Sequence, residues 1–417
     1  MNCPRRCLWP LLTLICFPIS AFGEEKFEFR VSDRVVLIGN TLIEREQRYG
    51  YWETAITARY PKRDITFRNL GWSGDTVFGD AQAGFGTGDD GFKRGTALDG
   101  FRHLTEHVVA LKPTVIIMGY GGVESFKGEK GLARFEDGLI TLLDALQPTR
   151  ARIILLSPME MENLGKPLPD PTGQNKNLRL YGKAIRLVAE QRKCTFVDLI
   201  GSLQYLKRTR FRGPLTDDCL HLTAFGYWFS SPALEEALFL DPIKWQLLVN
   251  RDGKVIFREG AKVEQARDKS LRYYTLDYLL PRSPLPAESP QGVSKQFGER
   301  MIEVEGLGKG DYSLQIDGKE VCKAAGKEWD HPGVALIRGP EFDQVEKLRQ
   351  TIIDKNRLYF HRWRPQNETY LFGFRKQEQG QNAREIPQFD PLIEEKEKEI
   401  AKLRVPVPHT YELVPSK

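Results

Sequence analysis

Short apolar runs alternate with longer amphipathic stretches over the first half of the chain. Each run is almost continuous in apolar residues, which is typical of a strand buried on both faces of a parallel sheet. Glycine or a polar residue closes most of the runs, so turns bound them. The runs are Val35–Gly39, Thr66–Gly71, Thr114–Gly119, Arg152–Ser157 and Thr195–Leu199.

Apolar residues at helical spacing occupy the intervals between these runs. The alternation of strand and helix predicts an α/β fold, a three-layer αβα sandwich around a parallel sheet, over residues 28–245. In such folds ligands bind at the carboxyl ends of the strands. The predicted helices are Ile43–Arg59, Leu98–Leu111, Lys130–Leu146, Asn177–Arg192 and one that begins near Thr223.

The pattern changes in the last part of the chain. Prolines between Pro281 and Pro290 indicate a linker, and we assign residues 246–300 to a connecting segment. Residues 301–417 follow as a small β unit with a hairpin at Asp317-Gly318, and then C-terminal helices packed on the main domain. Aromatic residues favour this packing, because they are too many for a solvated tail. They are Tyr359, Phe360, Trp363, Tyr370, Phe372 and Phe374.

The first residues have the order of a secretory signal peptide. Arg5 and Arg6 precede an apolar run from Leu8 to Phe22, and Ala21-Phe22-Gly23 has the small-residue pattern of a cleavage site. The run is too short to span a membrane, and no later segment has the length and apolar character to do so. We therefore expect residues 1–23 to be cleaved and the protein to be secreted or periplasmic.

Charge and cysteine content argue against two classes of function. Cleavage of the signal peptide removes two of the 61 basic residues and none of the 56 acidic ones. The mature chain therefore has nearly equal numbers of basic and acidic residues, which argues against a nucleic-acid partner. The remaining cysteines, Cys194, Cys219 and Cys322, have neither disulfide nor metal-ligand spacing. We predict no metal and no other cofactor.

Candidate chemistry begins with Asp218 and His221, which enter the helix near Thr223. Residues three apart share a face of a helical turn, so the carboxylate can hold one imidazole tautomer while the other ring nitrogen faces a cleft. This is the orienting acid and base of a hydrolytic triad. The alternative is structural: Asp218 caps the helix and His221 is a buried hydrogen-bonding residue.

Three polar, glycine-containing turns follow other predicted strands. They are Gly39–Leu42, Asn69–Thr76 and Gly119–Ser125, and they fall on the same sheet edge as the Asp218/His221 pair. Packing alone is a poor explanation for four such segments on one edge. The pattern therefore indicates a cleft with a candidate active site.

In this order the four segments resemble the blocks of the SGNH, or GDSL-type, esterase/lipase family, and the whole is most similar to secreted planctomycete-type GDSL-like proteins. The resemblance implies a flavodoxin-like sandwich and hydrolysis of esters. It also implies that Thr41 is the nucleophile, with Gly39 and Asn40 forming the sharp turn before it. Gly74 would supply an oxyanion N–H.

Two blocks depart from the family pattern, at three positions. Thr41 and Asn40 replace the serine and aspartate of the first block, and the β-branch of threonine crowds the attack path. Val123 stands where the family has an oxyanion asparagine, and such a donor is typically worth on the order of 10²–10³ in turnover. Backbone N–H groups near Gly121 and Gly122 could substitute for it. Ser73 and Ser125 are the alternative nucleophiles, ranked lower because they lie off the strand-to-helix turn.

These observations favour a secreted hydrolase acting on a small-molecule or polysaccharide ester, such as an acetylated polysaccharide. The first alternative is a non-catalytic glycan-binding protein on a degenerate SGNH scaffold, with Trp72, Tyr120 and Trp228 near the cleft. A further alternative is a partner-docking protein built around the aromatic and arginine-rich segment His361–Arg375.

Overall fold

The computed structural model describes residues 27–83, 97–238, 240–266, 271–291, 293, 300–365, 368–371, 375–378 and 382–416. The predicted signal peptide lies outside the described residues, as do Phe372 and Phe374 of the aromatic segment. No helix within the described ranges combines the length and the apolar character needed to cross a bilayer.

A five-stranded parallel sheet forms the centre of the first half, in the order β2-β1-β3-β4-β5. This is the flavodoxin-like order, so the predicted fold class is confirmed. Every predicted strand is present, because each run packs on both faces of the sheet. The strands are β1 (Arg34–Gly39), β2 (Thr66–Asn69), β3 (Val115–Gly119), β4 (Arg152–Leu156) and β5 (Thr195–Val197).

Helices cover both faces of this sheet. Val35 and Leu37 of β1 face one hydrophobic core, whereas Val36 and Ile38 face the other, as the two-residue period of a strand requires. The predicted helix from Ile43 to Arg59 is divided at Gly50, whose φ of 64° ends one helix before the next begins. The helices are α1 (Thr41–Tyr49), α2 (Tyr51–Arg59), α3 (Ala97–Ala110), α4 (Leu132–Leu146), α5 (Thr172–Arg192), α6 (Leu199–Thr209) and α7 (Ala224–Ala237).

A β sandwich follows the αβα part. One sheet has the order β13-β10-β6-β7 and the other β12-β11-β14-β9-β8. Trp245, Ile302, Leu314 and Tyr411 share a single core between the two sheets. The strands are β6 (Trp245–Asn250), β7 (Val255–Glu259), β8 (Ala261–Gln265), β9 (Arg272–Asp277), β10 (Arg300–Glu305), β11 (Asp311–Ile316), β12 (Lys319–Ala325), β13 (Val334–Ala335) and β14 (His409–Pro415).

The sandwich corrects the sequence-based view of residues 246–300. This stretch was expected to connect two units, but it holds β7, β8, β9 and nearly all of β6. The hairpin expected at Asp317-Gly318 is present between β11 and β12, as one part of a five-stranded sheet. Strands β6 and β14 of the sandwich were missed because partners of each are distant in sequence: β6 pairs with β10 in one sheet, and β14 lies between β9 and β11 in the other.

The chain then returns to the αβα part. Its remaining helices are α8 (Gly326–Trp329), α9 (Pro340–Trp363), α10 (Glu368–Leu371) and α11 (Phe389–Leu403). Helix α9 packs against α1, α2 and β2. Tyr359 and Trp363 of α9 belong to the same hydrophobic core as Val36 of β1. The aromatic residues of α9 therefore cover one face of the parallel sheet.

Candidate active site

The turn from β1 into α1 places Thr41 at the first position of a helix. A side chain at Gly39, whose φ is 151°, would lie 2.5 Å from the Gly119 carbonyl oxygen, so β1 and β3 approach closely there. Asn40 caps α1 by accepting the Leu42 N–H at 3.2 Å, and its own N–H donates to the Gly119 carbonyl. The turn therefore fixes the backbone on either side of Thr41.

Asp218 and His221 are joined as the three-residue spacing predicted. Asp218 Oδ2 lies 2.6 Å from His221 Nδ1, while Oδ1 accepts the backbone N–H groups of His221 (2.7 Å) and Leu220 (3.0 Å). Burial alone would raise the pKa of Asp218, but these hydrogen bonds from His221 and Leu220 lower that pKa to about 2. The carboxylate thus stays charged and holds the ring of His221.

The alternative structural roles of this pair do not fit the geometry. Thr223 caps α7, because its hydroxyl accepts the Gly226 N–H at 3.1 Å. The His221 side chain is 28% exposed, which is not the burial of a core histidine. Between the two, Cys219 has a φ of 68°, a conformation that is uncommon for a residue other than glycine.

Thr41 and His221 line one cavity of about 90 Å³ at the carboxyl edge of the sheet. No hydrogen bond joins these two side chains in the part of the chain that the structure describes, and such bonds often tighten only when substrate is present. Most of the other walls are apolar. They include Leu42, Val123, Phe126, Met159, Met161, Leu178, Leu220 and Leu222.

The predicted oxyanion positions differ in their placement. Val123 lines the cavity but offers no side-chain donor, and Gly74 (φ 77°) lies on an exposed turn beyond the cavity walls. Sequence reasoning missed the Asn40 amide. Its Nδ2 lies 3.1 Å from the point where a Gly122 side chain would begin, and both residues line the cavity. Because Oδ1 accepts the Leu42 N–H, Nδ2 is the donor that remains.

The alternative nucleophiles have other surroundings. Ser125 is fully buried, donates to the Gly122 carbonyl at 2.7 Å and accepts from Gln174 Nε2 at 2.6 Å. Ser73 is exposed, and its N–H donates to the Glu44 carboxylate. Neither seryl side chain lines the cavity that Thr41 and His221 share.

Trp72 and Trp228, two of the three aromatic residues proposed for a glycan-binding cleft, are occupied by packing, whereas Tyr120 contributes to the cavity wall. Trp228 is 3% exposed and donates its indole N–H to the Ser283 carbonyl. Tyr120 is also buried. Trp72 packs against Trp363, with the Arg364 guanidinium stacked 3.4 Å above its ring. Trp363 and Arg364 of the His361–Arg375 segment therefore pack on the αβα domain at Trp72.

A second residue that sequence reasoning missed is Glu162. Its Oε2 accepts the N–H groups of Leu215 and Thr216, both at 2.8 Å, and the Thr216 hydroxyl at 2.6 Å. The Glu162 N–H donates to the Cys219 carbonyl, and Oε1 pairs with Lys207. Glu162 thereby ties the loop after β4 to the turn that carries Asp218 and His221. Its place in the loop that follows a predicted strand was the available signal.

Two buried carboxyl groups lie beneath the glycine-containing turns. Glu124 accepts the N–H groups of Val77 and Gly121, each at 2.9 Å, and so links the turns after β2 and β3. Burial raises the pKa of Glu124 to about 7 and that of Asp75 to about 6. These groups support the backbone around the cavity without lining it.

Comparison with known structures extends the fold assignment beyond the αβα part. The gut microbial diltiazem-metabolizing enzyme BT4096 aligns with a TM-score of 0.70 and 16% identity, covering 95% of this chain and 100% of that one. This similarity shows a common fold that includes the β sandwich.

Two hydrolase structures align over about half of the chain. Axe2, an acetylxylan esterase from Geobacillus stearothermophilus, has a TM-score of 0.39 and 18% identity, over 51% of this chain and 96% of its own. LAE5, an alpha/beta hydrolase from the metagenome of Lake Arreo, Spain, has a TM-score of 0.40 and 21% identity, over 51% of this chain and 99% of its own.

Sequence comparison gives the family. Curated protein sequences include no match to the chain. The model of the GDSL-like lipase/acylhydrolase family matches residues 37–229, which span the four predicted blocks. Residues 37–229 are therefore a GDSL-like lipase/acylhydrolase domain, as the resemblance of the blocks indicated.

Proposed function

We propose that the protein hydrolyses carboxylic esters with Thr41 as nucleophile, His221 as general base and Asp218 as the group that orients His221. One observation carries the proposal: the imidazole held at 2.6 Å by Asp218 lines the same cavity as the Thr41 hydroxyl. A base held in one tautomer beside a hydroxyl group is the arrangement that nucleophilic acyl transfer requires.

The reaction would proceed through an acyl-enzyme. Thr41 Oγ1 attacks the ester carbonyl carbon while His221 Nε2 accepts the hydroxyl proton. His221 returns this proton to the leaving alcohol as the tetrahedral intermediate collapses. Water, deprotonated by the same imidazole, then hydrolyses the acyl-threonine. Asp218 keeps Nδ1 protonated throughout, because its carboxylate accepts that N–H.

The oxyanion needs donors at the start of α1. The Thr41 N–H belongs to the first turn of a helix, whose N–H groups have no intrahelical acceptor. The Asn40 Nδ2 group is adjacent and supplies an amide where Val123 cannot. We assign the oxyanion to these two donors, with the Gly74 N–H as the third candidate.

Export and the carrier of the ester are further parts of the proposal. The support for export is the order of charged, apolar and small residues over positions 1–23. An exported esterase would meet esters outside the cytoplasm, such as an acetylated polysaccharide. Mass spectrometry of the native protein tests the first part, because a mature chain that begins after Gly23 is expected.

Hydrolysis of small acetyl and butyryl esters tests the chemistry. We expect Thr41→Ala and His221→Ala each to lower kcat by on the order of 10⁴-fold or more, and the double variant to be no worse, because triad members act as a unit. Asp218→Asn should lower kcat less than His221→Ala does. Thr41→Ser should raise the rate, because it removes a methyl group from the attack path.

The pattern among the variants separates the candidate functions. Equal rates in the wild type, Thr41→Ala and His221→Ala would refute the assigned site. An inactive wild type that gains turnover as Thr41→Ser/Val123→Asn would identify a degenerate hydrolase, and the glycan-binding alternative would replace the esterase proposal.

A further inference from the structure

Arg45 is a cation on the wall of the candidate active site. It lies on α1 four residues after Thr41, so the two side chains share a face of the helix. Arg45 and His221 both line the cavity, and the Arg45 Nη2 group reaches the carbonyl oxygen of Leu222, next to His221. Arg45 therefore places a positive charge at the wall of the space that a substrate would enter.

The hydrogen-bonding capacity of this guanidinium is poorly used. Its Nη2 group makes two long contacts, each 3.5 Å, to Tyr49 Oη and the Leu222 carbonyl oxygen. Its Nε is buried and bonds to no acceptor in the described parts of the chain. No described carboxylate lies close enough to form an ion pair with it. A buried donor without a partner is costly, so a ligand that satisfies it gains affinity.

The surroundings would strengthen such a contact. The residues that line the cavity include Arg45 but neither aspartate nor glutamate, and most of the rest are apolar. An anion that enters meets a single positive charge in a medium of low polarity, where charge attraction exceeds that in water. A guanidinium also matches a carboxylate with two parallel hydrogen bonds.

We infer that Arg45 binds a carboxylate group of the substrate, so that the enzyme prefers esters that carry a negative charge near the ester carbonyl. This inference rests on the proposed esterase function. It names a substrate class, the anionic esters, which includes half-esters of dicarboxylic acids and O-acylated hydroxy acids. The residue contributes binding and specificity, whereas Thr41 and His221 perform the chemistry.

Two pairs of alkyl esters of equal size test the preference. On the acyl side, monoethyl succinate carries a carboxylate where ethyl 4-methylpentanoate has an isopropyl group. O-acetyl lactate and 1,2-dimethylpropyl acetate differ in a carboxylate on the alcohol side. In the wild type we expect kcat/KM for the anionic member of one pair to exceed that of its neutral partner by about 10- to 100-fold, mainly through KM.

Variants assign the preference to Arg45. Arg45→Met should bring the anionic-to-neutral ratio of kcat/KM to about one. Arg45→Lys should retain part of the preference, because an ammonium keeps the charge but loses the paired donors. Arg48→Met is the matched control, since Arg48 is an exposed arginine on the same helix, and it should leave the ratio unchanged. A wild-type ratio near one in both pairs would overturn the inference, as would a ratio that survives in Arg45→Met.

Binding measurements keep the inference separate from the esterase proposal. If the wild type hydrolyses no ester, calorimetry with N-ethylsuccinamate and its neutral counterpart N-ethyl-4-methylpentanamide replaces the rate assay. Tighter binding of the anionic amide by the wild type, lost in Arg45→Met and kept in Arg48→Met, would support the anion site on a protein that is not an esterase. Equal binding of both amides would refute it.

Discussion

Glu124 shows how a single side chain can hold two turns beside the candidate active site together. Each of its carboxyl oxygens accepts one backbone N–H, from Val77 on one turn and Gly121 on the next. Burial raises its pKa to about 7, well above the ordinary value of 4.5. The folded protein therefore binds this proton more tightly than the unfolded chain does.

We accordingly expect stability to fall as pH rises between about 5 and 8. The stabilising effect of protonated Glu124 is complete below pH 4.5 and is lost as pH passes through the folded pKa near 7, and Asp75 acts in the same direction. The loss is on the order of 3 kcal/mol for Glu124. Urea denaturation at several pH values measures it.

A glutamine at position 124 cannot titrate, so Glu124→Gln should flatten this pH dependence. The variant should also be less stable at low pH, because its amide accepts only one of the two N–H groups. Glu129→Gln, a change at an exposed carboxylate on the same loop, should keep the wild-type slope. The same slope in wild type and Glu124→Gln would contradict the assignment.

Among individual residues, sequence alone predicts those whose partners are near in the chain. The Asp218–His221 contact follows from a spacing of three. Asn40 and Thr223 are residue types that favour helix N-caps, although no cap was predicted at either position. The proximity of the Asn40 amide to Gly122 could not be predicted. This contact depends on β1 and β3 being adjacent strands of the sheet. Their pairing brings together residues about eighty positions apart.

At the scale of elements, the turn that carries Asp218 and His221 is held from outside by Glu162. Three hydrogen bonds to Glu162 Oε2 hold Leu215 and Thr216 at the beginning of this turn, and the Cys219 carbonyl is bound in its middle. Small displacements of a catalytic group are costly in rate. Glu162 is therefore a positioning residue for His221 in the proposed mechanism.

We expect Glu162→Gln to lower kcat by about 10-fold with a smaller change in KM, because an amide cannot accept all three bonds and His221 would be less well placed. Glu160→Gln is the matched control. Glu160 lies on the same loop but pairs with Arg179 and Gln204, away from the turn. Steady-state kinetics and melting temperatures are measured for both variants. An equal kcat in the two would show that Glu162 does not position His221.

The strands differ in how far their sequences reveal them. Those of the parallel sheet are apolar along their length because helices cover both faces, so the runs were recognisable. Strand β7 has the exposure pattern of a poorly covered edge strand, with Ile256 and Phe257 about half exposed. Local patterning is weak in such a strand, although its antiparallel partner β6 is the preceding strand in the chain.

At the scale of the whole molecule, a buried ion pair joins the C-terminal part to the αβα domain. Lys355 of α9 contacts Glu53 of α2 at 2.5 Å, and both side chains are almost completely inaccessible. Asn356 donates to the other oxygen of Glu53 at 3.0 Å, and Lys355 also donates to the Phe67 carbonyl. Charged residues 302 positions apart could not have been paired from sequence, although the aromatic content of this region indicated packing.

Removing one partner of this pair tests whether the two parts unfold together. Lys355→Met leaves the Glu53 carboxylate buried without its cation, which typically costs about 3–5 kcal/mol. The double variant Lys355→Met/Glu53→Gln should recover part of this loss, because no unpaired charge remains. Arg357→Met provides the matched control on α9: its partner Asp354 is exposed, and such a pair contributes less than about 1 kcal/mol.

Chemical denaturation followed by tryptophan fluorescence and by circular dichroism measures these differences. If α9 is an integral part of the domain, Lys355→Met should shift a single cooperative transition to lower denaturant concentration with both probes. An early separate transition of the C-terminal part, with the main transition unchanged, would instead show that the αβα domain is stable without α9. The buried pair would then fasten α9 to a domain that folds independently of it.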